Sequence, residues 1–207
     1  MTGLILKDCY NLKRTFGVYS VLVLGFSIFC MVTNRFLFLS LPPVLIFSSM
    51  ITNTFVQDRM VNWNKLAVTT ATGRRGIVKA KYALFYLILL VATLASFILG
   101  LIGAIAGGVK PIAEIKIFLF GLTIAICGGS VSIVLLYLWK EAVEKIELIT
   151  VISYTVSSGL LAAAVQAMRS VFGVDLYGFF ACFCLALIFP VTTYTISVRA
   201  FENRDLE

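Results

Sequence analysis

Side chains that commonly carry catalysis or bind metals are sparse in this 207-residue chain, which has five cysteines and no histidine. Cys30, Cys127, Cys182 and Cys184 fall within apolar runs, and Cys9 lies near the N-terminus. Cys182-x-Cys184 would put its two thiols on different sides of a helix, without the histidine or carboxylate that completes a zinc site. We therefore expect thiols that behave as small apolar side chains, with neither a metal site nor a disulfide framework.

The positions of the ionisable groups also argue against catalysis inside the membrane. The 17 basic and 10 acidic residues fall at the termini or in connections between apolar runs, so we expect none near the middle of a membrane. An intramembrane hydrolase needs a nucleophile with a basic or acidic partner, and ion-driven transporters usually keep an ionisable group inside the membrane. No G-x-x-x-x-G-K-[ST] motif for binding phosphates occurs. We predict that the chain is not an enzyme and binds no cofactor itself, and that a partner outside the membrane supplies energy for any transport.

The composition predicts membrane-spanning helices as the elements that position the cysteines and charged residues. The chain is 60% apolar and 13% charged, with a mean hydropathy of +1.02, which is typical of a polytopic membrane protein. Six apolar runs approach the roughly 20 residues that cross a bilayer; they cover about 16–33, 36–55, 82–107, 117–139, 148–168 and 176–198. The predicted fold class is an all-α membrane protein with six transmembrane helices in one domain. Pro42-Pro43 are expected to kink the second span.

Lysine and arginine predict the orientation. With the N-terminus inside the cell, 13 of the 17 basic residues are cytoplasmic, as the positive-inside rule requires. Both termini and residues 56–81 are then cytoplasmic, and the protein lies in the cell membrane. The formal charge of +7 is consequently expected to face lipid head groups and not a nucleic acid.

Residues 1–15 are too charged to span the membrane. Ile5, Cys9 and Leu12 share one helical face, with Lys7 and Asp8 on the wetter side. This pattern favours an amphipathic helix that lies in the membrane interface. The alternative is a simple basic flank of the first span.

The longest polar interruption covers residues 56–81. Val56, Met60, Trp63 and Ala67 recur at helical spacing and predict a short amphipathic helix. β-Branched residues and Gly73 then favour a bend, and four basic residues lead into the third run. We expect this segment to be the part of the chain on which an aqueous partner acts.

This segment also resembles a known family, the small six-span permeases of ABC-2-type transporters. Residues 65–69 (KLAVT), 74–78 (RRGIV) and 81–82 (KY) resemble the first cytoplasmic loop of those chains, K-Y-A-L-S-L-P-x-S-R-x-x-I-V-x-x-K-Y. Residues 3–13 (GLILKDCYNLK) resemble their opening, G-L-x-x-K-D-x-x-x-L-K. Two positions depart from the pattern, with Ala71 in place of proline and Gly73 in place of serine.

The resemblance implies a bacterial transport subunit that exports a peptide, antimicrobial or amphipathic ones included, or another hydrophobic substrate. It implies a separate ATP-binding subunit that holds ATP and Mg, and a second permease copy in a homodimer or heterodimer. The loop would serve as a coupling helix between spans 2 and 3, and its candidate docking residues are Met60, Trp63, Leu66, Arg74 and Arg75. The alternative function is a membrane scaffold or sensor that recruits a cytoplasmic protein through the same loop.

Small residues recur at four-residue spacing in three of the apolar runs. Such spacing lets helices approach closely, so these residues are candidates for packing within one subunit or for a dimer seam. They are Gly103 and Gly107, Gly121, Ala125 and Gly129, and Gly159 and Ala163.

Overall fold

The computed structural model describes residues 2–61, 63, 73–108, 110–139, 145–172 and 175–203. These residues form seven α-helices and no strand. The helices are α1 Thr2–Val32, α2 Leu41–Ser49, α3 Ile51–Met60, α4 Gly73–Gly107, α5 Pro111–Leu138, α6 Ile146–Phe172 and α7 Asp175–Glu202, with a short 3₁₀ helix at Phe36–Phe38. Six stretches in these residues are long and apolar enough to cross a membrane. The predicted all-α fold with six transmembrane helices is confirmed.

The N-terminal segment and the first span form one helix. α1 continues without a break through residue 15, where the sequence prediction separates an interfacial helix from a span. A change from amphipathic to apolar composition leaves the backbone hydrogen bonds of a helix intact, which accounts for the continuity.

The α-helix of the second span is interrupted at Met50 and not at its prolines. Pro42 and Pro43 lie in the first turn of α2, where a missing backbone N–H group has no helical partner to lose. At this interruption, the backbone N–H of Met50 donates to the carbonyl of Phe47, three residues earlier, at 3.1 Å. The hydroxyls of Ser48, Ser49, Thr52 and Thr54 each donate to a carbonyl three residues earlier. Such side-chain bonds compete with the helical ladder and bend helices.

The helix that contains the third predicted span begins before that span. α4 starts at Gly73, nine residues before the predicted boundary at Tyr82. Gly73 has a φ of +60°, a left-handed conformation that glycine adopts without steric cost. Arg74, Arg75 and Lys81 consequently lie on a helix that continues into the membrane-spanning part of the chain.

The most buried span is α5, which packs against α2, α4, α6 and α7. The small residues of α5 allow neighbouring side chains to approach its backbone closely. A Cβ atom on Gly121 would lie 2.7 Å from the Leu41 side chain, and one on Gly129 would overlap the Phe85 ring. Ala125 is fully buried. These three positions therefore lie in contacts within one subunit.

The other predicted packing residues divide into two groups. Gly103 and Gly107 of α4 adjoin the 3₁₀ helix, since a Cβ on either would collide with Phe36. A Cβ atom on Gly159 of α6 would have no neighbouring atom within 4 Å, and Ala163 is exposed. Gly159 and Ala163 therefore lie on an outward face of this subunit.

Candidate coupling site

Four helices meet at the end of the bundle where the loop of residues 56–81 begins and ends. This end, here called the loop end, contains the start of α1, the end of α3, the start of α4 and the end of α7. The guanidinium of Arg74 on α4 donates to the backbone carbonyls of Phe201 and Glu202 on α7. The end of α7 therefore adjoins the start of α4, where the loop ends.

A group of four charged residues, three of them buried and Lys7 partly buried, joins three of these helices. Lys7 and Asp8 come from α1, Asp58 from α3 and Lys81 from α4, and together they are called the charge cluster. Lys81 Nζ lies 2.9 Å from Asp8 Oδ2 and 2.6 Å from Asp58 Oδ2. Lys7 Nζ lies 3.0 Å from Asp8 Oδ1 and 2.5 Å from Asp58 Oδ1. Each lysine therefore bridges both carboxylates.

The charge cluster is both neutral and largely dehydrated. Asp8, Asp58 and Lys81 are each 3% exposed, so an unpaired member would lose several kcal/mol of hydration free energy. Two positive and two negative charges in alternation compensate that loss. Lys81 Nζ also lies 3.5 Å from the Thr54 carbonyl oxygen, to which it donates a hydrogen bond.

Aromatic rings flank the two lysines. Lys81 Nζ lies 5.2 Å from the centre of the Phe55 ring, and Lys7 Nζ lies 4.3 Å from the centre of the Trp63 ring. Both distances are within the range of cation–π attraction. Trp63, just beyond the end of α3, is consequently connected to α1 through Lys7.

Cys9 follows directly after the charge cluster on α1. Burial raises the pKa of its thiol above the ordinary value, and the Asp8 carboxylate raises the pKa further. The thiol is therefore protonated at neutral pH, which makes it a poor nucleophile and a poor metal ligand. Among the described residues, no group of histidine, cysteine, aspartate and glutamate side chains has the geometry of a metal site.

The predicted docking residues have different environments. Met60 is 78% exposed at the end of α3, whereas Trp63 is half-buried. The Arg75 side chain is 76% exposed, with Nε 2.5 Å from Glu202 Oε1, while Arg74 is bound to backbone carbonyls of α7. Leu66, like most of the predicted coupling helix, lies outside the described residues.

Sequence reasoning missed the charge cluster. The prediction that Asp8 lies on the wet side of its helix is wrong, because this carboxylate is buried against Lys81. One signal was present: Asp58 follows Phe55 by three residues and Lys81 directly precedes Tyr82, so both charges adjoin apolar runs. Their pairing with residues more than 50 positions away is a property of the tertiary structure.

Comparison with known proteins places the chain in a family. Residues 3–202 match the family described as ABC-2 family transporter protein. The match extends over nearly the whole chain and includes every described helix except the first residue of α1. The chain belongs to the ABC-2 transporter family. This ABC-2 protein is therefore a multi-pass membrane component of an ABC transporter, a permease without an ATPase site of its own that associates with an ATP-binding subunit. No curated protein and no solved structure matches the permease.

Proposed function

We propose that this permease exports a peptide or another hydrophobic molecule from a bacterial cell. A separate ATP-binding subunit supplies the energy and holds ATP and Mg, and a second permease, identical or similar, completes the transporter. Both termini and the loop end are cytoplasmic in this proposal. The observation that supports it best is the charge cluster, because it connects both roots of the proposed coupling loop to a third helix.

Docking occurs on the loop between α3 and α4. Exposed Met60, together with Trp63 and Leu66, provides the apolar surface that enters a groove of the ATP-binding subunit. Large apolar and aromatic side chains in such a groove usually dominate the affinity of an interface. Movement of the ATP-binding subunit then displaces the loop, and the charge cluster transmits that displacement to α1, α3 and α4 together.

The two arginines have separate roles in this proposal. The last carbonyl groups of a helix lack partners within the helix, and an arginine that binds them stabilises the helix end. Arg74 binds α7 in this manner and so connects a fourth helix to the loop. The ion pair between Arg75 and Glu202 is exposed to solvent, and such pairs contribute little to stability. Arg75 can therefore exchange Glu202 for an acidic group of the ATP-binding subunit at little cost.

The test measures how tightly the detergent-purified permease binds the ATP-binding subunit that is isolated with it. Trp63→Ala is expected to weaken binding by about 2 kcal/mol or more, roughly 30-fold, if Trp63 anchors the interface. Arg74→Glu combined with Arg75→Glu is expected to weaken binding through charge repulsion. Lys79→Glu is the matched control, since Lys79 is an exposed residue of the same helix. Undiminished binding by both loop variants would reject the loop as the docking site.

A competing explanation gives the same residues a role at the lipid interface. Tryptophan anchors helices there, and arginines bind anionic head groups. In that case Trp63→Ala changes folding or the accessibility of the loop in membranes, and affinity for the ATP-binding subunit in detergent stays unchanged. Labelling of the loop in membrane vesicles, measured beside the affinity, separates the two explanations.

A further inference from the structure

An apolar groove lies between α4 and α5, at the end of the bundle opposite the loop end. Its volume is about 420 Å³, within the range of small-molecule sites. The walls come from the last turns of α4 and the first turns of α5, with Phe97, Leu101, Ile115 and Phe118 among the apolar residues. The one acidic side chain on its described walls is Glu114.

Glu114 is accommodated by a glycine. A Cβ atom on Gly100 would lie 2.7 Å from Glu114 Oε1 and 3.4 Å from Ser40 Cβ. Because glycine has no Cβ, the carboxylate can lie against the α4 backbone within the groove wall. Replacement of Gly100 by any larger residue would displace it.

The Glu114 carboxylate is buried, and within the described part of the chain it forms no ion pair. The residue is 9% exposed, and the donor beside its carboxylate is the Ser40 hydroxyl. The Ser96 hydroxyl lies nearby on the groove wall, but it donates to the Ser40 carbonyl. The described wall of the groove therefore offers no positive charge, and at most a hydroxyl, to compensate a charge on Glu114.

The charge cluster shows the contrast within the same chain. Asp8 and Asp58, both buried, each have two lysines within 3.0 Å. An ionised carboxylate in apolar surroundings is costly unless a cation and hydrogen-bond donors accompany it. At Glu114, a bound molecule can bring that cation.

We propose that the α4–α5 groove binds an amphipathic molecule through its protonated amine. Glu114 turns about its side-chain bonds toward the groove and pairs with the ammonium group, and the apolar walls contact the aliphatic part of the molecule. The inference rests on the proposed function and deepens it, since such a cationic amphipath would be the transported substrate. On the proposed topology the groove lies at the external side, where exported molecules leave.

The experiment compares two probes with the same chain, dodecylammonium and dodecanol. Their affinities for the isolated permease are measured by titration calorimetry in nanodiscs of uncharged phosphatidylcholine. The wild type is expected to bind the ammonium about 10-fold or more tightly than the alcohol, as a charge-assisted hydrogen bond allows. Glu114→Gln is expected to abolish the preference, whereas Glu147→Gln, which removes an exposed carboxylate at the start of α6, retains it.

Equal affinities of the wild type for the two probes would overturn the proposal, as would a preference that survives in Glu114→Gln. Should that variant fail to fold, Ala104→Phe provides a second test. The larger side chain fills the groove and is expected to lower the affinity for both probes. Nanodiscs that contain phosphatidylethanolamine test the source of the amine, and strong competition by that lipid would overturn the assignment to a transported molecule. The ATP-binding subunit is absent from these measurements, so a failure here leaves loop docking untouched, and the reverse also holds.

Discussion

Replacement of Lys81 by methionine is the sharpest perturbation of the charge cluster. Methionine keeps an unbranched apolar stem of similar length and removes only the charge, leaving Asp8 and Asp58 with Lys7 alone. At an effective dielectric constant of about 20, each attraction between Lys81 and a carboxylate, at 2.9 and 2.6 Å, amounts to roughly 6 kcal/mol. The dehydration of Lys81 and its repulsion from Lys7 offset most of that sum. We expect a net loss of ~3–5 kcal/mol, as for other buried pairs that lose one partner.

The assay is reversible unfolding of the purified permease by sodium dodecyl sulfate in mixed micelles. Lys79→Met is the matched control, because Lys79 lies two residues away on an exposed face of α4 and should change stability by less than about 0.5 kcal/mol. Adding Asp58→Asn to Lys81→Met leaves a balanced Lys7–Asp8 pair and should restore part of the loss. If Lys81→Met is as stable as Lys79→Met, Lys81 does not stabilise the folded protein through these carboxylates.

Three further predictions concern coupling, packing and topology. Lys7→Met combined with Asp8→Asn removes the α1 half of the charge cluster without a net charge change; binding of the ATP-binding subunit should persist while ATP-driven transport falls, and full transport would contradict coupling through α1. Gly129→Ala should destabilise the protein by about 1–3 kcal/mol in the same unfolding assay because of overlap with a neighbouring ring, whereas Gly159→Ala, whose added methyl group meets open space, should be neutral or slightly stabilising. Reporters inserted after residues 73 and 108 should be cytoplasmic and external respectively, and an external signal after residue 73 would reverse the topology.

Hydropathy was sufficient to predict the spans, since it depends on residues that are adjacent in the sequence. Boundaries were less accurate where charges mark a helix end. α4 starts nine residues before the predicted span. The basic residues of that first part resemble a solvated loop in the sequence, yet Ile77, Val78 and Ala80 between them are buried. The hydroxyl groups near Met50, and not the prolines, coincide with the interruption of the second span.

The candidate site was only partly predictable. The loop's basic and apolar residues could be named from their spacing, and whether they dock a partner is still a prediction. The charge cluster could not be named, because Lys7 and Asp58 are 51 residues apart and meet only through the packing of α1 against α3 and α4. Glu114 gave no signal in the sequence, since its isolation depends on a glycine that lies opposite on another helix.

The most direct test of the central claim is ATP hydrolysis by the complex that is purified through an affinity tag on this permease. We predict that a subunit with a phosphate-binding loop co-elutes with the permease when native membranes are solubilised in detergent. The complex is expected to hydrolyse ATP in a vanadate-sensitive manner. Trp63→Ala should remove most of both the subunit and the hydrolysis, and Lys79→Glu should leave them in place. A tagged permease that is folded and inserted, yet elutes with no ATP-binding subunit and no hydrolysis, would contradict the account.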